Sequence, residues 1–307
     1  MMKLFMAMGA AGCLALPISV RAADPATNPD PAAIWNQGKA EVSRYALSQG
    51  RYRDNHEGDA VLIFVAEPFS RSKQVKVDDW QAAGDDLVNV LKLNHTRNFV
   101  TGLYPYSLML STFTPLDART PQPPLKITAS VQEWCGHVFT QINRRGEGFE
   151  IAGYSYFESE GDWKESIRSV LTEDEIWTRI RLSPGQLPTG EIELLPGALH
   201  ARLTHQALRP AKARAEWIEA DPKAHDPAKV RGYRVRYTSG SDRVLSLWFE
   251  RAAPHGIVAW EEAYTDVAGV PLTTRARRTH VKWIDYWTRH SNADRALRSE
   301  LGLSPDR

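Results

Sequence analysis

KITASVQEWCGHVFTQIN, residues 126–143, is the stretch whose reading decides the fold class. It is rich in β-branched and aromatic side chains, contains no proline, and reads as extended chain. Taken as one strand, it sends successive side chains to opposite faces. Val131, Glu133, Cys135, His137 and Phe139 then share one face, and Trp134 packs with Val138 and Ile142 on the other. The same style recurs outward along the chain. Val61–Val65 (VLIFV), Val88–Leu93 (VNVLKL) running on to Val100, and Phe149–Phe157 (FEIAGYSYF) precede or follow it. Arg231–Thr238, Arg243–Phe249, Gly256–Tyr264 and Leu272–Trp283 continue it, with Ser239–Asp242 as a hairpin turn between two runs. Strand–helix–strand alternation is absent, which argues against a doubly wound parallel sheet. The expectation is a mainly β protein, a large twisted antiparallel sheet or half-barrel with a few short helices.

Two helices are expected. Thr172-Glu173-Asp174-Glu175 has the form of a capping box, with Ile176, Trp177 and Ile180 following and Pro184-Gly185 as the stop. Ser291–Leu301 carries Ala293, Leu297 and Leu301 on one side. The Pro-rich segments 120–124 and 221–227 do not separate blocks of different composition, so they read as loops within one domain spanning residues 23–307. That domain starts with a short Pro/Asn/Asp leader, residues 23–31, expected as a tail.

The 307 residues include 38 Lys+Arg and 37 Asp+Glu, a net charge of +1. That balance excludes the uncompensated basic surface of a nucleic-acid binder. Residues 1–22 (MMKLFMAMGAAGCLALPISVRA) have the anatomy of a signal peptide: Lys3, an apolar stretch to Val20, and small residues at Val20 and Ala22. Their removal leaves no apolar run long enough for a transmembrane anchor. The location expected is periplasmic or secreted. The anatomy favours ordinary cleavage at Ala22 over lipoprotein anchoring through Cys13, whose preceding apolar run is very short. Cleavage leaves Cys135 as the single thiol, so the core rather than a disulfide must supply stability.

Glu133, Cys135 and His137 are the candidate site residues. A carboxylate, a thiol and an imidazole at alternate strand positions could converge on a metal or let the imidazole activate the thiol. One strand supplies three ligands, and His95 or His280 could add a fourth by residue type alone. Equally, Cys135 reads as a small buried hydrophobe with polar neighbours satisfied by adjacent strands. Arg275, Arg277 and Arg278 read as a solvated strand face, Glu158–Asp162 as a polar turn, and Thr101–Met109 as a turn packed on the sheet. Phosphate-cradling glycine loops, helical zinc pairs and a Gly-x-Ser-x-Gly elbow are all missing, so no cofactor is implied.

The stretches 35–52, 60–69, 73–78 and 90–94, with TGLYPYSLM (101–109), QEWCGHVFTQIN (132–143) and YFESEGD (156–162), resemble a family of exported bacterial proteins of unknown function. Its members sometimes carry the label septum formation inhibitor Maf. True Maf proteins are cytosolic α/β nucleotide pyrophosphatases, a class that the strand-rich pattern and export segment do not fit. Many members of the resembled family look like lipoproteins, and the resemblance implies no catalytic or binding residues. The leading functional expectation is a non-catalytic envelope protein that binds an apolar or amphiphilic ligand, or an envelope protein partner, on the concave side of a curved sheet. The alternatives are a metal- or thiol-dependent enzyme centred on Glu133, Cys135 and His137, and a structural envelope protein acting through partners.

Overall fold

The computed structural model describes residues 30–116, 122–221 and 223–304. Residues 1–22, read as a signal peptide, with Cys13 among them, and most of the expected leader lie outside these residues. The leader gives way to structure earlier than expected: Asp30 accepts a hydrogen bond from Ala32 N (3.0 Å) and caps α1 (Pro31–Trp35), with Pro31 in the first turn.

The described residues form one sheet of 15 strands. The first wing is a continuous meander: β1 (Ala40–Arg51), β2 (Asp54–Ser70), β3 (Leu87–Thr101), β4 (Tyr104–Pro115), β5 (Lys126–Glu133), β6 (Gly136–Arg145), β7 (Gly148–Ser155) and β8 (Trp163–Arg168). The second wing holds β9 (Leu171–Thr172), β10 (Gly190–Leu195), β11 (Ala211–Glu219), β12 (Val230–Tyr237), β13 (Val244–Glu250), β14 (Ile257–Thr265) and β15 (Pro271–Ile284). β15 pairs with β1, joining the wings, and all pairings are antiparallel except the short β9–β10 bridge. β8 and β9 are the two free edges, yet only Ser169 and Val170 connect them in sequence. Three Cα steps reach at most about 11 Å. The sheet therefore curls until its edges are neighbours, without closing, and an Arg168–Glu193 ion pair spans the gap from β8 to β10.

The concave side is the core. Alternate positions point inward from every wall, such as Leu91 and Leu93 on β3, Ile127, Ala129 and Val131 on β5, and Leu245, Leu247 and Phe249 on β13. Two helices enter that space, α2 (Glu173–Leu182) and α3 (Ala198–Leu203). The capping box at Thr172 is formed, each residue of the pair accepting from the other's backbone N–H at 3.2 Å. α2 is buried nearly all round, its acidic first turn included. The second expected helix is shorter than its pattern: a 3₁₀ turn over Asn292–Arg295 leads into α4 (Ala296–Glu300). The C-terminal segment lies on the convex side, where Tyr286 and Leu301 cover Val42, Val61 and Ile63.

Residues 126–143 are not one strand. Trp134 and Cys135 form a turn between β5 and β6, with Glu133 paired to Gly136 and Gln132 to His137. Trp134 is accordingly 68% exposed, stacked on Tyr104 rather than packed with Val138 and Ile142. The register places this turn at the same end of the sheet as the β1–β2 and β3–β4 turns and the β7–β8 connection.

Candidate functional site

A cavity of about 650 Å³ lies on the concave side, between α3 and the inward faces of β6, β7 and β8. Val138 and Thr140 face it from β6, Gly153 and Ser155 from β7, and Trp163 from β8, in matching register (Thr140 with Gly153, Gly153 with Trp163). Gly153 has a packing reason to be glycine, since a Cβ there would overlap the Trp163 indole nitrogen. The opposite wall is α3, which shows the cavity its small side chains Ala198 and Ala201, with Leu208 beyond its end. Size and mixed lining are those of a small-molecule site.

The polar end is built by α3 and the β7–β8 connection. Arg202, on the last turn of α3, is buried, with its guanidinium 4.4 Å over the Phe157 ring. Burial lowers its pKa. Its Nη1 lies 3.3 Å from His205 Nδ1 and 3.9 Å from Glu160 Oε1, and its buried Nε has no partner among the described residues. His205 is left-handed (φ 54°) just past the helix, where glycine is the usual occupant, and this turn sets its ring against Glu160 in a hydrogen bond. Arg51, at the end of β1, donates to the Leu203 carbonyl and so ties the end of α3 to the sheet.

The sequence-predicted residues do not line the cavity. Glu133, Cys135 and His137 belong to the exposed β5–β6 hairpin tip, so the single-face premise that grouped them fails. Cys135 is exposed rather than inward-facing. Glu133 accepts from Cys135 N (2.6 Å), and its hydrogen bond with the thiol raises the Cys135 pKa, the reverse of activation. His95 is buried in the interior beside Trp177 and Trp260, and His280 lies on exposed β15 against Thr279. Among the described residues no group of three or more His, Cys, Asp or Glu side chains is placed to hold a metal ion.

A second polar cluster fixes the interior helices. Glu173 of α2 receives two hydrogen bonds from Arg243 (2.9 and 2.6 Å) and one from Tyr237 (2.9 Å). Arg97 of β3 donates to both oxygens of Glu262 on β14, at 3.1 and 2.5 Å. At the other end of α2, Arg181 forks onto Glu41 of β1 (2.8 and 2.5 Å). Burial works against ionisation of Glu262 and Glu41, but the facing guanidiniums hold both carboxyls below their ordinary range. Asp174 lacks such a fork. Burial pushes it up to about 7, against one hydrogen bond from Ala198 N (3.0 Å). These groups link elements that are far apart in sequence and are not part of the cavity lining.

Sequence reasoning missed Arg202, His205 and Trp163 as site residues and read Glu160 only as part of a polar turn. One signal was present. QEWCGH and YFESEGD, the two most specific stretches of the resemblance, meet in space, because a Cβ on Gly136 would stand 2.5 Å from the Tyr156 ring. Phe157 and Glu160 of the second stretch then reach Arg202 and His205.

Fold and site together define, among the described residues, a curled, open, almost wholly antiparallel sheet with two short helices and a cavity on its concave side. No family model matches the chain, and no curated protein matches it. Among solved structures it is similar to a β-barrel-like protein of domain of unknown function DUF1849 from Brucella abortus. The two chains are 8% identical with a TM-score of 0.45, over 80% of this chain and 96% of that one. Among the described residues no helix is long and apolar enough to cross a membrane.

Proposed function

We propose that the protein is a non-catalytic binding protein that takes one amphiphilic small molecule into the concave cavity between α3 and β6–β8. The observation that carries this reading is the composition of the walls: Val138, Trp163, Ala198 and Leu208 offer an apolar bed, and Arg202, His205 and Glu160 close one end of it. A ligand with an apolar body and a polar head satisfies both. The reading includes export through residues 1–22, with an envelope lipid or envelope protein as the source or recipient of the ligand. An enzyme centred on Glu133, Cys135 and His137 has less support, because those side chains sit on an exposed hairpin tip and none of them lines the cavity.

Titration of the purified mature chain with N-phenyl-1-naphthylamine, a neutral apolar fluorophore, tests the reading. Saturable binding at one molecule per chain, with native mass spectrometry of the untreated protein showing a co-purified small molecule displaced by the probe, is the expected result. Absence of any saturable binding, by the probe or by a co-purified molecule, overturns it.

A further inference from the structure

We infer that the cavity selects amphiphiles with an acidic head group, carboxylate or phosphate, and that Arg202 is the residue that receives it. The inference rests on the cavity reading above and adds the chemistry of the head.

Arginine carries five N–H donors and, when buried, needs acceptors for them. Arg202 is 93% buried and lines the cavity, yet its Nε has no partner among the described residues. Its Nη1 contact with His205 Nδ1 competes with Glu160, which bonds the same nitrogen. A proton on Nδ1 serves Glu160 and leaves nothing there to accept from Arg202. Glu160 itself stands 3.9 Å from Arg202, beyond hydrogen-bond reach, with its acceptor turned to His205. The Phe157 face under the guanidinium compensates charge but takes no hydrogen bond directionally.

Other buried arginines of the interior show what satisfaction looks like here. Arg97, Arg181 and Arg243 each fork onto a carboxylate with two bonds of 3.1 Å or less. Arg202 is the buried cation of the cavity wall without that fork; Arg51 nearby adds a second positive charge, and the Glu160 and Glu133 carboxylates oppose it without forking onto the guanidinium. A carboxylate or phosphate oxygen pair entering from the cavity supplies the geometry that the other three already possess. The apolar tail then runs along Val138, Ala198 and Trp163.

Competition against bound N-phenyl-1-naphthylamine at pH 7.5 compares decanoate, decyl phosphate and decanol. Both acids are expected to displace the probe at least about tenfold more tightly than the alcohol. Whichever acid is tighter assigns the head as carboxylate or phosphate. In Arg202→Met that preference collapses to within about twofold, while decanol binding is retained. Acids that bind no better than decanol overturn the inference on the unaltered protein alone, so a misfolded variant cannot rescue it. An acid preference that survives both Arg202→Met and Arg202→Gln, each checked for native circular dichroism, also overturns it. Failure of all three competitors and of the probe would instead remove the cavity reading itself.

Discussion

At Asp174 a carboxyl is held inside the fold with its pKa raised to about 7, while an unfolded aspartate titrates near 4. The folded state therefore holds this proton more tightly. Its contribution to stability is complete below about pH 4 and is lost as pH rises through about 7. His95 and His200 run the other way. Both are buried well below the ordinary imidazole value, so each removes stability as pH falls beneath about 6.5. The difference between Asp174→Asn and the parent isolates the aspartate, because asparagine keeps an acceptor for Ala198 N. Urea unfolding should show the variant gaining on the parent by on the order of a few kcal/mol between pH 4.5 and 7.5. A constant difference would refute the buried acid. Cys135 offers a second test at this scale. Iodoacetamide should label it completely in the native protein, with a rate that climbs at higher pH than for an ordinary thiol and shifts back in Glu133→Gln. Protection until unfolding would contradict the exposed turn. That turn was hard to read because neither Trp134 nor Cys135 has a positive φ, so the Asn-Gly signature of tight hairpins is absent. Only Gly136 marked it.

The elements were legible where the signal was local. The runs at Val61–Val65 and Val88–Val100 lie in β2 and β3, the run Arg231–Thr238 coincides with β12 up to Tyr237, and the Thr172 capping box starts α2. Placement of α2 was not legible. Five of its ten residues are charged, which reads as a solvated helix, and the partners that permit burial come from Glu41, Tyr237 and Arg243, far away in sequence. Pairing, rather than hydropathy, put it inside. Arg181→Met alone strands Glu41 as a buried charge and should cost about 3–5 kcal/mol. Arg181→Met with Glu41→Leu should recover much of that loss, since an apolar pair of similar volume replaces a desolvated one. Chemical denaturation of the single and double variants decides this; a double variant no more stable than the single would show that packing rather than charge is at stake. On the cavity side, Gly153→Ala must displace the Trp163 indole. It should cost about 1–3 kcal/mol and weaken probe binding together.

For the molecule as a whole, the decisive feature is a sheet too long to stay flat. Strands with right-handed twist curl as they accumulate, and 15 of them bring β8 round to β9. The half-barrel class was readable from alternation and turns, because these are nearest-neighbour signals. The cavity was not, because it is the volume left between β6–β8 and a six-residue helix whose sequence, ALHARL, carries no strong periodic pattern. A curled wall of fixed circumference encloses an interior that α2 and α3 fill incompletely, so the remaining space should respond to filling without loss of the fold. Ala201→Phe adds a ring on the α3 face of that space. It should leave the circular dichroism native and weaken N-phenyl-1-naphthylamine at least about tenfold. In the parent, a ligand at one hundred times its Kd should raise unfolding free energy by about 2.7 kcal/mol, and the variant should lose that increment. If Ala201→Phe binds the probe as the parent does, the ligand occupies some other surface, and the incompletely filled interior is a feature of packing alone.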